Sequence, residues 1–90
     1  MTDEMRQPAD WMVPSDDRIL EMIRDYGNLT PKAIDDFGGP VAAHAGNRCR
    51  TLVDYGLLKQ ISRGLYGTTD KGLAYLNGEL DASTLERAEE

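Results

Sequence analysis

The residues with the most to say about chemistry lie between 41 and 68. His44, Asn47, Arg48 and Thr51 recur at spacings that bring them together on a helix turning about 100° per residue. Ala45, Cys49, Leu52 and Val53 share a different side of the same wheel. One helix would therefore carry an apolar face for a core and a polar arc free of acids, with Arg50 and Asp54 on its far flank. The groups on that arc suit the edges of base pairs. Arginine bonds guanine bidentately, asparagine bonds adenine, and threonine can touch a thymine methyl. Lys59 and Arg63 follow closely in sequence and could reach phosphates or the minor groove. Lys32 stands near the start of another candidate helix, where an anion is favoured, although Asp35 and Asp36 sit close by.

Other chemistries find little support. There is no glycine-rich phosphate loop, no nucleophile elbow and no plausible triad, so no catalytic or cofactor-binding residue is assigned. The acid pairs Asp16 and Asp17, and Asp35 and Asp36, are adjacent and would point about 100° apart on a helix. His44 is the only histidine and has no partner at metal-ligand spacing, so no metal site is expected. Cys49 falls on the apolar face and reads as core, with a redox-sensor role the alternative. A lone cysteine cannot form an internal disulfide, and neither a signal peptide nor an apolar run long enough to span a membrane is seen. These features read as an intracellular, cytoplasmic protein.

The elements that must position the polar arc follow from punctuation and period. Ser15 reads as an N-cap for a helix over 16–26, with Ile19, Leu20, Ile23 and Tyr26 on its apolar face and Gly27 as its stop. Thr30 and Pro31 open a short helix over 31–37, with Ala33, Ile34 and Phe37 inward. Pro40 opens a third helix, running over 41–55 to Gly56. A glycine turn between these two gives a helix-turn-helix pattern. Beyond Gly56 the period shortens to two. Residues 57–62 read as a strand, Arg63 and Gly64 as a tight turn, and 65–68 as the returning strand. Thr69 caps a fourth helix with Leu73, Leu76 and Leu80 on one face, weakened by Gly72 and Gly78. Ser83 and Glu86 have the spacing of a capping box for a last turn near Leu85.

The expected fold is α+β: a winged helix-turn-helix with a three-helix core, a two-stranded wing hairpin and a C-terminal helix. Residues 1–13 form an N-terminal extension, 14–80 the domain, and 81–90 an acidic tail.

A net charge of −6 at first opposes a nucleic-acid partner. Its distribution removes the objection. Residues 39–67 carry Arg48, Arg50, Lys59 and Arg63 against the single acid Asp54. Residues 1–27 hold seven acids against three bases, and 78–90 hold five against one. Local sign, more than total charge, governs the choice of partner. The excess of acids, with only three lysines, suits a protein that stays dissolved in very high salt.

Several motifs together resemble a known group. The run DWMVPSDDRILE at 10–21, RCRTL at 48–52 followed by YGLL at 55–58, and ISRGLY at 61–66 leading to TDKG at 69–72 are similar to haloarchaeal winged-helix DNA-binding proteins of the halophage-repressor-like type. The resemblance covers roughly 10–82. It implies DNA binding and a halophilic archaeal or viral source, with Arg48, Arg50 and Arg63 at positions where such proteins carry basic residues. Residues 39–46 depart from the pattern, because alanines and Gly46 stand where larger polar residues are common.

The function expected is that of a sequence-specific double-stranded DNA-binding transcriptional regulator of the repressor kind. Helix 41–55 would enter the major groove, and the 57–68 wing would lie on the backbone or minor groove. A homodimer through Trp11, Met12, Leu73, Leu76 and Leu80 would double the site read. The alternatives are a winged-helix module that binds protein without touching DNA, and a non-specific architectural DNA binder.

Overall fold

Prolines and glycines divide the chain as expected, but the helices begin at slightly different residues. The computed structural model describes residues 5–88. Helix α1 spans Pro14–Tyr26 and is capped by Val13, two residues before the expected Ser15. Pro14 opens it because the missing proline N–H has no intrahelical partner to lose at that position. The Asp16 carboxylate accepts from the Val13 N–H at 3.1 Å and so closes the first turn. Helix α2 spans Pro31–Asp36, and Thr30 Oγ1 accepts from Ala33 N at 3.0 Å.

Helix α3 spans Ala42–Asp54. Its first turn borrows its cap from the preceding helix, because Asp35 Oδ2 accepts from Ala42 N at 3.0 Å. Packing accounts for part of the departure at 39–46, at Gly39 and Ala45. A methyl group on Gly39 would lie 2.7 Å from Met22 Sδ, and one on Gly46 would lie 3.6 Å from Pro31. Ala45 is fully buried. Gly39 is thus held small by Met22 of α1 and Ile34 of α2, and Ala45 by the core, whereas a methyl group on Gly46 would make only ordinary van der Waals contact with α2.

Strands β1 (Leu58–Ser62) and β2 (Leu65–Thr68) pair antiparallel, with Leu58 opposite Thr68 and Gln60 opposite Tyr66. The register shifts between Gln60 and Ser62, which leaves Ile61 as an extra residue that sharpens the local twist. Gly64 supplies the positive φ, 73°, that the tight turn needs. Leu29, in the α1–α2 link, exchanges backbone hydrogen bonds with Tyr66 and lies along the hairpin as a short third edge.

Helix α4 spans Asp70–Leu76. Thr69 Oγ1 accepts from Gly72 N at 3.0 Å and donates to the Gly56 carbonyl at 2.6 Å, tying the start of α4 to the end of α3. A short 3-10 turn follows at Ala82–Thr84. Asp81, and not Ser83, caps it, through Ser83 N at 3.0 Å.

The core gathers Ile19, Leu20, Met22 and Ile23 from α1, Ile34 from α2, and Ala45, Cys49 and Leu52 from α3. Leu29, Leu57, Leu58, Tyr66, Tyr75, Leu76 and Ala82 complete it. Two expected core residues are on the surface: Tyr26 is 63 % exposed and Phe37 51 % exposed, with their rings 5.2 Å apart. Each lies at the end of its helix, where the apolar stripe has already turned past the core.

The surface proposed for a dimer is also reduced. Leu76 is 1 % exposed and belongs to the chain's own core. Trp11 stacks on Tyr55, with ring centroids 3.8 Å apart and planes 8° from parallel. Met12 and Leu80 pack against the core.

Both flanks of the helical domain are folded onto it. The Arg6 side chain is nearly buried. It donates to the Leu76 carbonyl at 2.9 Å and to Glu21 at 2.6 Å, beside Asp17 at 3.4 Å. Gln7 pairs with Asp81, and Ala82 N donates to the Gln7 carbonyl at 2.9 Å.

Gly72 is a close-approach residue, although its helix would prefer alanine. A methyl group there would stand 2.2 Å from the Leu57 carbonyl oxygen. Helix propensity alone favours Gly72→Ala by about 1 kcal/mol. Overpacking against a backbone carbonyl is expected to reverse the sign and cost about 1–3 kcal/mol net, read from the urea unfolding midpoint.

Candidate nucleic-acid interface

Helix α3 is held on three sides, by α2, α1 and the hairpin. Its remaining side carries Ala43, His44, Asn47 and Arg50, all exposed, with Thr51 and Asp54 half-buried. Asn47, Arg50, Thr51, Val53 and Asp54 line one wall of an open groove of about 460 Å³. Gln60 and Tyr66 of the hairpin and Arg87 line the rest. Arg50 therefore sits in the middle of the solvent face and not on a far flank. Asp54 shares that face, so the expected acid-free arc contains one carboxylate.

Arg48 does not join this face. Its guanidinium turns toward α1 and grips Asp16 with two bonds, Nε to Oδ1 and Nη2 to Oδ2, each 2.8 Å. Nη2 also reaches the Trp11 carbonyl at 3.2 Å. Asp16 is fully buried, so its charge requires a partner, and Arg48, four residues before the core residue Leu52, is placed to supply it. The hydrogen bonds to Asp16 hold the guanidinium's pKa above its usual value despite partial burial. Arg48, expected on the base-reading arc, is turned inward instead, as a strut between α1 and α3.

The other expected residues are presented as follows. His44 Nε2 lies 2.8 Å from Ser15 Oγ. Arg50 Nη2 donates to Asn47 Oδ1, and Thr51 Oγ1 donates to the Asn47 carbonyl at 3.2 Å. Lys59 and Arg63 are exposed on the hairpin and form no ion pair among the described residues. Lys32 stands apart from the groove, paired with Asp36 at 3.2 Å across one helical turn. With its side chain 81 % exposed, that pair is weak and readily exchanged.

Residues 5–88 match the family model of the winged helix-turn-helix phage repressor. The chain belongs to that family. It is 35 % identical over 94 residues to the repressor protein of Halobacterium phage phiH, a match covering 93 % of this chain and all of that one. The fold is similar to the crystal structure of the PhiH1 repressor-like protein from Haloarcula marismortui, with a TM-score of 0.85 and 39 % identity over 91 % of this chain and 96 % of the other.

Two groove residues of this repressor-family protein were not legible in the sequence. Gln60 follows Lys59 without any marker of function. Arg87 is 33 residues from Asp54, the residue it contacts, and no local pattern joins them. Among the described residues no three His, Cys, Asp or Glu side chains cluster as metal ligands, and no helix is long and apolar enough to cross a membrane.

Two outcomes follow. Arg48→Ala is expected to destabilise the fold by about 3–5 kcal/mol, because it strands a buried carboxylate. A urea-midpoint shift equivalent to less than about 1 kcal/mol would contradict that assignment. Burial, with a smaller contribution from Asp16, pushes the Cys49 thiol up to about 12. Cys49 should therefore resist alkylation at pH 8 in the native protein and react at the rate of global unfolding, followed by mass spectrometry.

Proposed function

We propose that this protein binds double-stranded DNA in a sequence-specific manner and regulates transcription as a repressor, with α3 in the major groove and the hairpin against the backbone. One observation carries the reading: cations without an acidic partner collect beside the reading helix. Arg6, Arg24, Lys32, Arg48 and Arg87 each face a carboxylate. Among the described residues Arg50, Lys59 and Arg63 have no acidic partner, and all three belong to α3 or the hairpin. The other two cations without an acid, Arg18 and Lys71, lie on α1 and α4.

The division of labour follows from chemistry. Asn47 and Arg50 lie one turn apart on the exposed side of α3 and carry the groups that distinguish adenine and guanine. Small Ala43 lets the helix enter deeply, and Thr51 and His44 flank the pair. Lys59 and Arg63 neutralise phosphates and fix the register without reading sequence. Lys32 can add a phosphate contact at the start of α2 by leaving Asp36.

The test is selection of bound duplexes from a random pool, repeated with variants. Asn47→Ala and Arg50→Ala should each relax the enriched motif at one or two positions, by about 1–3 kcal/mol of discrimination. Lys59→Ala and Arg63→Ala should weaken all duplexes alike and lower the log–log salt slope by about one unit each. An enriched motif left intact by both α3 variants would remove α3 from the reading role. Binding without any motif would make the protein an architectural binder. A two-fold symmetric motif would report two copies per site.

A further inference from the structure

Asp54 is the only acid in α3, and it lies in the groove with Asn47, Arg50 and Gln60. Its position is unfavourable for the proposed partner. The carboxylate sits at the C-terminal end of the helix, where the peptide dipoles already add negative potential. A major groove is about 12 Å wide, so a charge on the inserted face lies within roughly one Debye length, ~8 Å, of the flanking phosphates.

The chain brings one residue back to this point. Arg87 donates to Asp54 Oδ2 from Nε at 3.0 Å and from Nη2 at 2.8 Å. The next residue, Ala88, donates its N–H to the Asp54 carbonyl at 2.8 Å. The guanidinium carbon stands 6.0 Å from the centroid of the Tyr55 ring, which is itself stacked on Trp11. Side chain, backbone and ring together seat one cation on one carboxylate. An ion pair this exposed, with side chains 59 % and 36 % accessible, adds little to stability. Its effect falls on the charge of the groove.

We propose that Arg87 is a positioning residue for nucleic-acid binding: it cancels the charge of Asp54 on the reading face, and so makes the segment after α4 part of the interface. The proposal rests on the DNA-binding reading above. Arg87 acts through Asp54 and need not itself touch a phosphate.

The full-length protein and three full-length variants, Arg87→Ala, Asp54→Asn and the double substitution, are titrated with the selected duplex by fluorescence anisotropy at several salt concentrations. Arg87→Ala should weaken binding about tenfold at low salt, with the loss shrinking as salt rises. Asp54→Asn should bind as well as the natural protein or more tightly, and the double variant should return to within about twofold of it.

A loss in Asp54→Asn matching that of Arg87→Ala would make the pair a mere staple for the tail and overturn the proposal. So would a double variant as weak as Arg87→Ala, which would assign Arg87 a direct phosphate contact. Thermal unfolding of all four proteins identifies any loss caused by damage to the fold. Natural protein that binds no duplex overturns the preceding reading and this one with it. Duplex binding unaffected by Arg87→Ala overturns this one alone.

Discussion

A fully buried carboxylate organises this molecule. Asp16 closes the first turn of α1 through Val13 and binds Arg48 of α3 with both oxygens. Burying a charge is costly unless its partner is well placed. The pair therefore fixes the rotation of α3 about its own axis as well as its distance from α1. With Arg48 turned inward, Asn47 and Arg50 must face out. The direction in which the chain presents its polar groups is set by a contact that never reaches solvent on the Asp16 side.

Its neighbour Asp17 has a different task. It accepts from the Tyr75 hydroxyl at 2.7 Å and lies beside Arg6. Burial first, and then this hydrogen bond, push the Tyr75 phenol well above its ordinary range. Two adjacent acids thus hold two different sides of α1, one against α3 and one against α4 and the N-terminal segment. The roughly 100° between successive helical residues excludes a shared acidic site and makes this double anchorage possible.

Much of the architecture was legible because it rests on local signals. Thr30 with Pro31, Thr69, and the change of period after Gly56 mark element boundaries wherever they occur. The role of Arg48 was not legible. A wheel drawn for α3 alone places Arg48 beside Asn47, and only the presence of Asp16, 32 residues away, turns it inward. Tyr26 and Phe37 mislead in the opposite direction, since helical spacing cannot say where a stripe outruns its core. Arg87 was invisible for the same reason as Arg48, because its partner is distant in sequence. Gly72 looked like a weak helix residue until the Leu57 carbonyl was seen against it.

The closure of the two flanks has a consequence for how the chain reaches this state. Arg6 binds the carbonyl of a residue 70 positions later, and Gln7 pairs with Asp81. Contacts of such separation carry a large loop-closure cost and form late. During synthesis, α1, α2 and α3 can emerge and pack while Arg6 still lacks its acceptor on α4. The N-terminal segment must wait for residues beyond 76 to leave the ribosome before it can settle. The pairing of Arg6 with Glu21 and Asp17, 15 and 11 residues away, needs far less chain than its bond to Leu76.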